Sequence, residues 1–141
     1  MPSILVGSFL ALLAALPVAA AEPPPAIACG SQSKIPAGRR VTNTARWTTA
    51  SEQENFGYDV YRSESEKGPF VKLTRQPILG NGTTNETHEY SYADDAIDPC
   101  RDYWYYVEAI ATDGSREKFT AVFHAPAKVR ATAPPAKAAE H

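Results

Sequence analysis

Residues 97–109 read IDPCRDYWYYVEA. Asp98-Pro99 opens a turn, and the aromatic and β-branched run behind it sorts into two registers. Tyr103, Tyr105, Val107 and Ala109 fall on one face, and Trp104, Tyr106, Glu108 and Ile110 on the other. A period of two over eight residues predicts a strand over about 102–111, because a helix would not sort these side chains that way.

The neighbouring segments follow the same pattern. Asp113-Gly114 is a strong hairpin signal and leads to an expected final strand over 117–124. Upstream, strands are predicted over 40–48 (Ala45 and Trp47 on one face) and 56–62 (Phe56, Tyr58 and Val60 on one face, Asp59 and Tyr61 on the other). Two more are predicted over 70–74 and 88–93, the latter with Tyr90 and Tyr92 together. Ser51–Asn55 reads as a polar loop, Glu66–Pro69 as a turn, and 76–87 as a long loop whose Asn81-Gly82 tip suits positive φ. A further edge strand is expected near 26–36. About seven short strands without an intervening helix imply an all-β, two-sheet antiparallel sandwich. Its expected core contains Trp47, Tyr58, Val60, Tyr103, Tyr105 and Val107.

The ends of the chain read differently. Ile4–Leu16 is apolar, and Ala19 and Ala21 supply a small-x-small pattern, so 1–21 reads as a secretory signal cleaved after Ala21. The run is shorter than the about 20 apolar residues that span a bilayer, which argues against a retained anchor and for a secreted or periplasmic product. Residues 22–26 (EPPPA) read as a Pro-rich linker and 127–141 as a flexible Ala/Pro/Lys tail. Two cysteines, Cys29 and Cys100, in an exported chain suggest one disulfide. Two other readings exist. Ala26-Ile27-Ala28-Cys29 partly matches a bacterial lipobox, but Ala26 stands where Leu is wanted and Glu22–Pro25 separates it from the apolar run. A metal site would need further ligands at short spacing.

The ordered set Ala45-x-Trp47, Gly57-Tyr58-x-Val60-Tyr61-Arg62, Tyr90-x-Tyr92-x-Asp94, Asp98-Pro99 with Tyr103-x-Tyr105-x-Val107-x-Ala109, then Gly114, resembles the fibronectin type III family over about residues 27–126. The resemblance implies an immunoglobulin-like sandwich, with Trp47 in its core and Tyr103 bonding back to upstream backbone as a tyrosine corner. It also implies that Cys29 and Cys100 meet at one end of the sandwich. The chain departs from the pattern at Cys100, where Gly usually follows the Pro, at Asn43, where an apolar residue is usual, and in its first strand.

Chemistry is harder to find. A formal charge of −2 gives no support for nucleic-acid binding, which wants a basic face. His88, His124 and His141 fall on separate elements. No nucleophile elbow, phosphate loop or cofactor motif is present in the sequence, so no catalytic role and no cofactor are expected. Asp94, Asp95 and Asp98 read as turn carboxylates capping backbone N–H groups, without the spacing of a calcium loop. Asn81-x-Thr83 and Asn85-x-Thr87 match glycosylation sequons, which matter only in a eukaryotic source. The outward register remains. Trp104 and Tyr106, with Tyr61 on a neighbouring strand, are the expected partner-binding residues, set against cross-strand stacking or cover by the 76–87 loop or the tail. The function expected is a non-catalytic protein-interaction or adhesion module, with a carbohydrate-binding accessory as the alternative.

Overall fold

The computed structural model describes residues 19–23 and 26–130. Residues 1–18 of the expected signal, Pro24 and Pro25 of the linker, and 131–141 of the tail lie outside the described residues. Eight strands follow a short 3₁₀ turn at Ala37–Arg39: β1 Asn43–Thr49, β2 Glu52–Ser63, β3 Val71–Lys72, β4 Ile78–Thr84, β5 His88–Asp94, β6 Tyr103–Ala111, β7 Arg116–Lys118 and β8 Phe123–Ala125. Every pairing is antiparallel. β1 and β5 form one two-stranded sheet. In the second sheet β2 and β6 are central, β3 and β4 pair with β2, and β7 and β8 pair with β6.

The two sheets bury the alternating residues that the sequence marks. Trp47, Tyr58, Val60, Tyr103, Tyr105 and Val107 are all buried, joined by Ala45 and Ile97. Trp47 stacks on Tyr90 at 5.6 Å between ring centroids and meets Tyr58 edge-on at 5.4 Å. These offset and edge contacts are the geometries that aromatic quadrupoles favour. The Tyr103 hydroxyl accepts a hydrogen bond from the Asp98 backbone N–H at 2.8 Å, which ties the start of β6 to the turn before it. Buried Asn43 donates to the Tyr105 hydroxyl at 3.0 Å, and that hydroxyl donates to Asp94 at 2.7 Å. The polar residue at a core position is thus used within a network that also includes Arg62, 2.8 Å from Asp94.

Several local expectations are corrected. The 76–87 segment is not a loop, because Ile78–Thr84 pairs with β2. Its half-exposed edge position tolerates the two glycines and the asparagine that make it read as a turn. Gly82 does adopt φ +67, inside the strand where the β2–β4 register shifts. The polar Ser51–Asn55 stretch is largely strand, with Glu52 and Asn55 buried. β2 carries one extra residue against β6 between Asn55 and Gly57, and this bulge turns Phe56 out of the expected inner face to 46% exposure. Strict alternation in β6 ends opposite the same bulge, where Ile110 is buried rather than outward. The expected final strand is broken into β7 and β8. Phe119 and Thr120 both donate backbone N–H groups to the Val107 carbonyl between them.

No strand forms over 26–36. That segment is a clasp held by side chains. Cys29 is bonded to Cys100, with Cα atoms 5.3 Å apart. Gly30 N–H donates to Asp98. Buried Gln32 donates to the carbonyls of Val41 and Ile97 and accepts from Val41 N–H. The beginning of the expected tail is also anchored: Lys128 and Val129 N–H groups donate to the Pro99 carbonyl and Ala127 N–H to Asp102.

Candidate interaction faces

The outer face of the larger sheet carries the expected partner-binding residues. Antiparallel register places Tyr61 opposite Tyr106 and Asp59 opposite Glu108. Directly opposed like charges repel. Arg116, reaching across from β7, resolves the conflict by binding Asp59 at 2.8 Å and Glu108 at 2.7 Å. Asp59 is fully buried and also accepts from the Thr74 hydroxyl at 2.6 Å, with Lys72 at 3.8 Å. Burial opposes its charged form, but the Thr74 and Arg116 hydrogen bonds and the nearby cations outweigh that and hold its pKa below the usual carboxylate value.

Beside this ionic knot lies an aromatic cluster. Tyr61 and Tyr106 stack at 4.8 Å with rings nearly parallel, and Phe70 meets Tyr106 edge-on at 5.0 Å. Lys118, from the strand on the far side of β6, sits 4.7 Å over the Tyr106 ring. Both faces of Tyr106 are therefore taken, and the cluster presents ring edges. Burial and Glu108 raise the pKa of both tyrosines, so they stay neutral hydroxyl donors.

Trp104 does not join that cluster. It stacks on His124 of β8 at 4.9 Å, and His124 lies 3.2 Å from Asp102. Trp104 borders a groove of about 730 Å³ that also runs past the disulfide, Glu64, Arg101 and Val129. The three expected residues thus divide between two features. Cross-strand stacking accounts for Tyr61 and Tyr106, and residues 127–130 flank the groove beside Trp104.

A third feature was not legible in the sequence. At the opposite end of the sandwich a cleft of about 440 Å³ opens between the end of β1 and the β6–β7 hairpin. Glu52 lines it. Its carboxylate accepts hydrogen bonds from Tyr58 at 2.9 Å, Tyr90 at 2.8 Å and the Asn55 amide. Burial works against its charge, yet these donors hold its pKa below the ordinary value, and no cation contributes. Burial, with Glu52 next, drives the Tyr58 pKa well up. Asn81 donates to the Tyr90 hydroxyl at 2.7 Å. Asn55 and Tyr58 share β2 with Glu52, but Tyr90 comes from β5 and Asn81 from β4, so local spacing does not mark the set.

The turn carboxylates separate too. Asp94 pairs with Arg62, Asp95 with Arg40, and Asp98 caps the N–H groups of Gly30 and Cys100. Among the described residues no group of three or more His, Cys, Asp or Glu is placed to hold a metal ion, and no helix is long and apolar enough to cross a membrane. No protein-family model, curated protein or solved structure matches the chain.

Proposed function

We propose that this chain is an exported, non-catalytic protein-interaction module on an immunoglobulin-like sandwich of the fibronectin type III kind, acting in adhesion or as a subunit of a surface assembly. The apolar leader with its small-x-small end and the Cys29–Cys100 bond support export. The Tyr103-to-Asp98 bond and the strand order support the family reading.

The observation that carries the functional reading is the Phe70–Tyr106–Tyr61 cluster, partly exposed yet fixed in place by the Arg116 knot and Lys118. Rigid, amphipathic aromatics framed by charge are the residues that dominate protein interfaces, each worth about 2 kcal/mol or more when truncated. Affinity purification of the tagged chain from its host tests this. Tyr106→Ala is expected to release a captured partner while removing two aromatic pairs and a cation–π contact, about 2–3 kcal/mol of stability. Trp104→Ala likewise should lower partner binding more than melting temperature. Equal loss of folding and binding in both variants would refute the assignment.

The carbohydrate alternative draws on Trp104, whose ring borders a groove with Glu64, Arg101 and Asp102 as polar neighbours. Tyr106 does not serve it, because a sugar stacks on an open ring face. A glycan array separates the two readings.

A further inference from the structure

The smaller sheet is only two strands wide. β5 covers one edge of β1, and among the described residues nothing pairs with the other. The clasp over residues 29–41 stays at the far end, tied to Val41, Ile97 and Asp98. The unpaired edge ends at Thr49 beside the Glu52 cleft, and the opposite wall comes from Ala109–Ala111 and from Ser115, Arg116, Glu117 and Phe119 around β7. A third strand of the smaller sheet, paired with β1 as far as Thr49, would reach that opening at its end.

We infer that the free edge of β1 takes an extended segment of a partner protein, added as a strand, with a Lys or Arg side chain directed into the cleft against Glu52. Three features specify this occupant. Along the seven residues of β1, every second one directs its backbone N–H and C=O away from β5, and this unpaired row is the template for strand addition. Buried Glu52 carries a negative charge that its hydrogen-bond donors satisfy sterically but no cation balances. The other charges at the cleft, Glu54, Glu117 and Arg116, do not balance it, because Arg116 is turned to Asp59 and Glu108. Tyr58 and the half-exposed Phe119, packed edge-on at 5.4 Å, give the cleft an aromatic wall suited to the alkyl stem and charge of a basic side chain. Backbone pairing gives affinity in such a mode, and the pocket gives specificity.

This inference rests on the protein-interaction reading and names a second face for it. The probe is a phage-displayed library of random peptides of about nine residues, panned on the full oxidised chain. Enriched peptides should alternate apolar and polar positions and carry Lys or Arg at one apolar-face position. Their binding should weaken about tenfold or more in Glu52→Gln, as expected for removal of a buried charge partner. Bound peptide should slow amide exchange in β1 and leave β5 unchanged. Tyr106→Ala should retain the peptide. No enrichment, enrichment without a basic residue, unchanged affinity in Glu52→Gln, or protection away from β1 would each overturn the inference. Should Glu52→Gln fail to fold, Glu117→Lys at the exposed rim gives the same test, and unchanged affinity there would overturn it. A host partner that is lost on Tyr106→Ala while no peptide is enriched would refute the β1 edge and leave the interaction reading standing.

Discussion

Replacing both cysteines, Cys29→Ser with Cys100→Ser, isolates what the covalent staple contributes. The bond joins positions 71 residues apart. Constraining a loop of that length removes about 15 cal/mol/K of denatured-state entropy in the chain-entropy relation, or about 4 kcal/mol at room temperature. The folded clasp should survive the change. Gln32 is 4% exposed and holds Val41 and Ile97 through its side-chain amide, while Gly30 N–H stays on Asp98. The loss is therefore expected in the unfolded state rather than the folded one. Urea titration followed by the fluorescence of Trp47 and Trp104 should show the midpoint falling by about 2 M, taking a slope of about 2 kcal/mol/M. The reduced natural chain should superimpose on the double variant, and amide exchange over 30–41 should remain slow. A loss under about 1 kcal/mol, or rapid exchange across the clasp in the serine variant, would refute the reasoning.

Other perturbations test the remaining contacts. Gln32→Ala strands the Val41 N–H and two carbonyls and should cost about 1–3 kcal/mol in the same titration, with exchange rising over 30–41 first. Tyr105→Phe removes the hydroxyl shared by Asp94 and Asn43 and should cost about 1.5–3 kcal/mol, with little change in far-ultraviolet circular dichroism. A Cβ at Gly57 would lie 2.5 Å from the Ile78 carbonyl oxygen, so Gly57→Ala should part β4 from β2 and cost about 2 kcal/mol or more by denaturation. Asp59 and Glu52 both have lowered folded-state pKa values, so their stability is present above the ordinary carboxylate range and is lost as pH falls through the lowered values. Melting temperature should hold down to about pH 5 and drop below about pH 4, and Asp59→Asn should flatten that drop.

How far the sequence carried depended on which forces were local. The apolar alternation of β1, β2, β5 and β6 reports burial directly, and all six expected core residues are buried. Asn81-Gly82 reported its own backbone conformation but not its element, because positive φ is a property of one residue while strand pairing needs a partner. Glu52 and Asn55 read as loop for the same reason. A polar residue enters a strand when distant donors satisfy it, and Tyr90 lies 38 residues from Glu52. The clasp shows the converse. Residues 26–36 read as an edge strand, and a glutamine amide, the Gly30–Asp98 bond and a disulfide hold them instead.

The outer aromatic face turns on one irregularity. Alternation places Trp104 and Tyr106 on the same side of β6, but the strand beyond them gives each a different neighbour. That strand breaks at 119–122, where two successive N–H groups converge on the Val107 carbonyl and the Thr120 hydroxyl accepts from Val107 N–H. Before the break β7 gives Lys118 to Tyr106, and after it β8 gives His124 to Trp104. The same break turns Phe119 onto Tyr58 and builds the aromatic wall of the Glu52 cleft. One bulge thus divides what reads as a single aromatic row and supplies part of a second binding feature at the other end. Restoring a continuous strand there would be expected to disturb both faces together, whereas substitutions at Tyr106 or Glu52 should disturb only one.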